Sequence, residues 1–181
     1  MPSSQSSLDI CNVALSWLAA NRITSFNDDS IEAQLCLANY APLRDAVLEE
    51  HEWSFAIRRR KYGAVALSEG TPEENAYEGY RTKVRPDTIR VLEVRSDINF
   101  RTTDVLQWQL EEGYIISSQT PLYVRELYRN EDTISFSPAF NQALAARLAS
   151  ELCLPITEST RKQTVMYQLY ITKLAEAKSM D

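Results

Sequence analysis

The sequence is poor in glycine and histidine, two residue types on which many recognisable active sites depend. It has four glycines and one histidine in 181 residues. The glycine patterns of nucleotide-binding loops, GxGxxG and GxxxxGKS/T, are absent, and so is the GxSxG pattern of many serine hydrolases. A single histidine is too few for the usual zinc sites, and there is no HExxH pattern. We therefore predict no catalytic, cofactor-binding or metal-binding residues, and a protein that is not an enzyme.

Cysteine is also scarce, and the positions of the cysteines do not match a metal-binding pattern. The three cysteines, Cys11, Cys36 and Cys153, are far apart, and none belongs to a CxxC pair. An odd number at these spacings argues against a disulfide framework and against a zinc site. Each cysteine falls within a helical apolar pattern, where a free thiol packs as a small hydrophobic group. The sequence therefore predicts buried, reduced thiols and synthesis in a cytoplasm.

Long apolar runs and excess positive charge are missing as well. No stretch approaches the roughly 18 apolar residues of a membrane span, so we predict no membrane association. The net charge is −6, which disfavours general attraction to nucleic acid. The charge is uneven, because residues 1–57 have two basic and eight acidic side chains, whereas residues 58–136 have twelve and thirteen.

Both ends of the chain have the three- and four-residue apolar spacing of amphipathic helices. The positions that mark the first and third helices are Leu8, Cys11, Leu15 and Leu18, and Phe140, Leu144, Leu148 and Leu152. Ser137-Pro138 predicts the start of the third helix. We expect Asn21 to end the first helix, Pro42 to kink or interrupt the second, and Pro155 to end the third.

The middle of the chain changes to short runs rich in β-branched and aromatic residues, separated by turn signals. The expected strands are 89–95, 105–111, 114–117 and 122–128, with a hairpin at Glu112-Gly113 and a turn at 69–72. The sequence thus predicts an α+β, mainly α, protein that forms one structural unit. Residues 1–57 and 137–181 form a four-helix-type bundle, and residues 58–136 insert a small antiparallel β-sheet.

Arg58-Arg59-Arg60-Lys61 is the only basic run in the sequence. It has three interpretations: a phosphate-binding patch with neighbouring aromatic residues for stacking, a charged strand or loop surface, or a subunit interface. Because the protein is acidic, we favour an interface or a plain surface over nucleic acid. The candidate interface residues are Arg58, Arg59, Arg60, Lys61, Arg81 and Arg85. His51, within an acidic segment, is more consistent with a helix end than with a general base.

Several segments, in order along most of the chain, resemble one protein family. They are Leu8-Asp9-Ile10-Cys11-Asn12-Val13-Ala14-Leu15, Arg44-Asp45-Ala46-Val47-Leu48, His51-Glu52-Trp53-Ser54-Phe55-Ala56, Arg85-Pro86-Asp87, and Ala143-Leu144-Ala145-Ala146-Arg147-Leu148-Ala149. This order is similar to that of the tail tubular protein A family, the head-to-tail adaptors of short-tailed bacteriophages. The segment from Arg44 to Ala56 carries the most specific part of the resemblance.

The resemblance implies a structural subunit of the virion, located at the head–tail junction. Twelve copies would form a ring between the portal protein and the tail nozzle protein, and genome DNA would pass through its lumen without sequence-specific binding. No cofactor is implied. Two alternatives remain from the residues themselves: a small DNA-binding module that uses the basic run Arg58–Lys61, and a hydrolase that uses His51 with a nearby carboxylate.

Overall fold

A computed structural model describes residues 5–63, 65–66, 79–100 and 106–181. The chain divides into two compact units. The helical unit contains the residues up to Phe55 together with Asn130–Asp181, and the β unit contains Ala56–Arg129. Four α-helices and two small antiparallel sheets make up the described residues, so the expected combination of helices with antiparallel strands is confirmed.

Each of the four helices of the helical unit has a serine as its N-cap. They are α1 (Ser7–Leu18), α2 (Ile31–Glu49), α3 (Pro138–Thr157) and α4 (Thr160–Met180). Ser6, Ser30, Ser137 and Ser159 are the N-caps, and each side chain accepts a hydrogen bond from the amide three residues later. Such bonds satisfy one of the amides that a helix start leaves without a partner. The start that Ser137-Pro138 predicts is confirmed.

The core of the helical unit lies around α3, which contacts α1, α2 and α4. Eleven of the twenty residues of α3 are buried, including Phe140, Leu144 and Leu148. At its N-terminal end lies an aromatic cluster formed by Trp53, Phe55, Phe136 and Phe140, in which Phe140 packs edge to face against the other three rings. The three cysteines are free and buried in this unit, as expected.

The predicted ends of α1 and α3 are wrong, and Pro42 does not interrupt α2. α2 continues through Pro42 to Glu49, because one lost backbone bond is offset by the packing of its buried face, which includes Cys36 and Val47. α3 passes Pro155 and ends at Thr157, and the left-handed backbone of its C-cap, Glu158, directs the Glu158 amide to the carbonyl of Leu154. Ala19, not Asn21, adopts the left-handed conformation that ends α1.

The described residues of the β unit form seven strands in two antiparallel sheets. The strands are β1 (Ile57–Tyr62), β2 (Val65–Ala66), β3 (Tyr80–Lys83), β4 (Thr88–Arg95), β5 (Trp108–Glu111), β6 (Tyr114–Ser117) and β7 (Leu122–Tyr128). The order is β1-β7-β4 in the three-stranded sheet and β2-β3-β6-β5 in the four-stranded sheet. The strands at 114–117 and 122–128 and the hairpin at Glu112-Gly113 are confirmed. The strand expected at 105–111 starts later, at Trp108, and Leu106 and Gln107 lie outside any strand. Val105 and the expected turn at 69–72 lie outside the described residues.

The single sheet that the sequence predicts is divided in two. The cause is β1, which contains the basic run and pairs along its whole length with β7. With β1 on one side and β4 on the other, β7 has no free edge for β6. The two sheets share an apolar core that contains Tyr62, Val94, Leu106, Ile115, Leu122 and Val124.

Candidate functional site

The strand conformation divides the basic run between the two faces of the three-stranded sheet. Successive strand residues point to opposite sides, and cross-strand partners share a side. Arg58 pairs with Glu126 and Arg60 with Val124, whereas Arg59 pairs with Arg125 and Lys61 with Tyr123. Arg58 and Arg60 therefore lie on the side of the apolar core, and Arg59 and Lys61 on the opposite side.

A fully buried carboxylate, Glu126, organises the core side. Its Oε1 accepts a hydrogen bond from Nε of Arg58 at 2.7 Å and lies 3.5 Å from Nε of Arg60. Its Oε2 accepts hydrogen bonds from the hydroxyls of Tyr62 at 2.7 Å and Thr88 at 2.8 Å. Both oxygens are thus fully engaged, as a buried charge requires. The arrangement suits a structural ion cluster.

Asp87 extends this cluster from the turn before β4. Its Oδ2 lies 2.8 Å from Nη2 of Arg58 and 3.8 Å from Nη2 of Arg60. Burial would raise the pKa of Asp87, but the hydrogen bond and charge of Arg58 and the charge of Arg60 outweigh it and lower this pKa. Burial and the bond to Glu126 raise the pKa of the Tyr62 hydroxyl. The cluster therefore keeps Asp87 ionised and Tyr62 protonated at neutral pH.

The opposite side of the same sheet carries a different set of charges. The side is formed by Arg59 and Lys61 on β1, Tyr123 and Arg125 on β7, and Arg90, Glu93 and Arg95 on β4. We call these residues the basic face, since they include five cations and one carboxylate. The Arg59 guanidinium lies 4.7 Å from the ring centre of Phe100, and the Lys61 ammonium 6.0 Å from that of Tyr123. Both contacts are within the range of cation–π attraction.

The six candidate interface residues do not form one patch. Arg81 lies on β3 in the four-stranded sheet, 5.5 Å above the ring of Tyr114. Arg85 lies in the turn that precedes β4. Sequence reasoning also missed Arg90 and Arg125, although both strands were predicted. Their signal is the cross-strand register, which a single sequence does not contain.

His51 lies near a carboxylate, as the hydrolase alternative requires, but the geometry does not form a nucleophile–base pair. Its Nε2 is 3.6 Å from Oδ2 of Asp181, and its ring packs edge-on against Trp53. The nearby Ser54 hydroxyl donates a hydrogen bond to Oδ1 of Asp181 at 2.9 Å. Because serine activation requires a bond from the hydroxyl to the imidazole, this trio orients Ser54 for a structural contact.

The described part of the chain has no candidate metal site and no candidate membrane-spanning helix. Residues 5–63, 79–100 and 106–181 contain no group of three or more His, Cys, Asp or Glu side chains that could hold a metal ion. None of the helices described there has the length and hydropathy that crossing a bilayer requires.

The sequence matches no known protein-family model and no curated protein.

Proposed function

We propose that this chain is a structural subunit of the head-to-tail connector of a short-tailed bacteriophage. In this proposal the four helices form a four-helix-type bundle, and copies of the chain close into a ring between portal and tail nozzle. The observation that carries the proposal is the unequal charge of the two units. The helical unit has seven basic and fourteen acidic side chains, a net charge of −7, and the β unit has twelve and eleven.

A ring of identical subunits needs two different lateral surfaces that fit each other. Such an interface is heterologous, and it closes only when the rotation between neighbours divides a full circle. Complementary charge on the two surfaces fixes the register between neighbours and rejects wrong contacts. A chain with an acidic unit and a basic face on its other unit meets this requirement. The ordered resemblance of residues 8–149 to the tail tubular protein A family supports the same assignment.

The net charge also suits a channel for DNA. A ring of subunits with a charge of −6 each would repel phosphates, so a moving duplex would not adhere to its wall. This argument concerns passage and does not require contacts with the bases. It accounts for an acidic protein at a position where DNA passes.

The DNA-binding module is the second candidate, and the basic face is the observation in its favour. Cations that alternate with aromatic rings are typical of surfaces that bind single strands. Against it, Arg58 and Arg60, half of the basic run, are engaged with Glu126 and Asp87. A run of four phosphate ligands is therefore reduced to two on the exposed side. We rank the connector first for this reason.

Two measurements test the proposal. Mass spectrometry of purified phage particles that encode the chain should detect it at a copy number equal to that of the portal protein. The purified chain, alone or mixed with portal protein, should also form a complex of about twelve 20.7-kDa copies, roughly 250 kDa in total. Absence of the chain from the particles would contradict the proposal.

A further inference from the structure

Three cations of the basic face are exposed, and the described residues provide no counter-ion for them. Arg59, Lys61 and Arg90 are all exposed. Within residues 5–63, 79–100 and 106–181, no carboxylate oxygen lies within 4.0 Å of their charged nitrogens. Glu93, the one carboxylate of the face, already bonds to Arg95 at 2.6 Å. The face therefore presents cations that are available to an acidic partner.

These cations are also held in place before any partner arrives. Arg59 packs on Phe100 and Lys61 on Tyr123, and both project from β1, which is paired along its length with β7. Side chains that are already ordered lose less conformational entropy on binding than free surface lysines and arginines do. This is the expected construction of a specific contact surface, whereas a solvated charge needs no such support.

We infer that the basic face binds the acidic end of α2, Glu49–Glu52, in a second copy of this chain. That segment has exposed carboxylates at Glu49, Glu50 and Glu52, and the last turn of α2 contains no basic residue. Within its own chain Glu50 accepts a hydrogen bond from the Tyr170 hydroxyl and lies 3.7 Å from Nζ of Lys178, so the charge reversals below are placed at Glu49 and Glu52. The negative end of the helix dipole adds to their charge. The inference deepens the proposed connector function, because it names the two lateral surfaces by which neighbouring copies of a ring would meet.

A second copy fits this surface better than nucleic acid does. The helical unit that would be the partner has a net charge of −7, so the two surfaces are complementary. A polyanion such as DNA would meet a chain whose total charge is −6. Long-range repulsion would then oppose the approach to a single small basic face.

Reciprocal charge reversal tests the pairing. One variant combines Arg59→Glu with Lys61→Glu, and the other combines Glu49→Lys with Glu52→Lys. Self-association is measured by sedimentation equilibrium at low ionic strength. Arg22→Glu plus Lys83→Glu is the control for the first variant, because it makes the same charge change at exposed positions outside both surfaces. We expect the wild type to associate more weakly as salt is added. Each reversal should weaken association about tenfold or more, and the control should change it little.

Mixing the two reversed variants should restore association, since each regains a complementary surface. Circular dichroism of each variant checks that the fold is retained, and Arg59→Gln with Lys61→Gln should give an intermediate loss. The inference is overturned if the wild type stays monomeric under these conditions, if mixing restores nothing, or if the basic face binds duplex DNA instead. A chain that is present in particles at portal copy number but fails this test keeps the proposed function and loses this inference.

Discussion

The helical unit and the β unit bury different chemistry. The helical unit packs aromatic rings and aliphatic side chains around α3, and it also buries Arg44, which pairs with Asp45 at 2.8 Å and with Glu131 at 3.1 Å. The β unit has a smaller apolar core and, beside it, the ion cluster of Glu126 with Arg58 and Arg60. Apolar packing tolerates changes of shape poorly, whereas a buried ion cluster tolerates loss of one charge poorly. The substitutions that most destabilise the helical unit should therefore differ from those that most destabilise the β unit.

The largest effect is expected in the aromatic cluster of the helical unit. Phe140 is fully buried, with its ring centre 5.0 Å from that of Trp53 and 4.8 Å from that of Phe136. Phe140→Ala should lower the free energy of unfolding by about 4 kcal/mol, because it removes these contacts and leaves a cavity. Urea unfolding followed by far-UV circular dichroism measures this loss. Phe140→Leu is the matched control, and it should cost about 1 kcal/mol.

Hydrogen exchange measures which of the two units loses stability in Phe140→Ala. Phe140→Ala should increase exchange in peptides of the helical unit and leave peptides of β4 and β7 nearly as protected as before. An equal increase in both units would show that they unfold together, and the contrast between them would then describe only their composition.

The next effect is expected at Glu126 in the β unit. Glu126→Gln keeps the size of the side chain but leaves Arg58, whose side chain is 17% exposed, with less than its full counter-charge. We expect a loss of about 3 kcal/mol, concentrated in the β unit by hydrogen exchange. The matched control is Glu93→Gln on the basic face, where the pair with Arg95 is partly exposed and should contribute at most about 1 kcal/mol. Equal costs for the two variants would mean that burial of the cluster is not what makes it necessary.

The difference between local signals and packing of distant residues explains how far the sequence predicts the structure. Helix starts and the strands at 114–117 and 122–128 follow from local signals: a serine cap, a proline at the first helical position, and alternation between turns. Pro42 and Pro155 are misleading because packing decides whether a helix continues, and packing involves residues distant in sequence. The aromatic cluster combines Trp53 and Phe55 with Phe136 and Phe140 across some 80 residues.

The candidate site illustrates the same limit more sharply. The basic run is visible in the sequence, and its identity as a charged surface or interface could be considered from composition alone. The division of the basic run between the two faces of the sheet could not be predicted, because it depends on the pairing of Arg58 with Glu126, 68 positions later. Arg90 and Arg125 join the exposed side only through the register of β4 and β7. Cross-strand register, rather than local propensity, determines which charges act together.

The smallest effect is expected at Asp87, on the edge of the ion cluster. Arg58 and Arg60 hold the pKa of Asp87 below its ordinary value of 3.8, despite the opposing effect of burial. The ionised form is thus favoured in the folded state, so its contribution is complete above pH 3.8 and is lost as the pH falls through the lowered pKa. Asp87→Asn should remove this contribution, and the acid loss of protection in β4 should become shallower. In the helical unit, bonds from Ser6 lower the pKa of Asp9 in the same direction.

Asp9→Asn is therefore the matched control for this titration. It should make the acid loss shallower in peptides of α1 and leave β4 unchanged, while Asp87→Asn should do the reverse. Hydrogen exchange measured from pH 5 down to pH 3, at low and at high salt, separates the two. Asp87 depends on ion pairs with Arg58 and Arg60, whereas Asp9 depends mainly on hydrogen bonds within a cap. Added salt should therefore reduce the effect at Asp87 more than that at Asp9. Equal salt sensitivity at both sites would show that hydrogen bonding, not charge pairing, dominates the edge of the β-unit cluster.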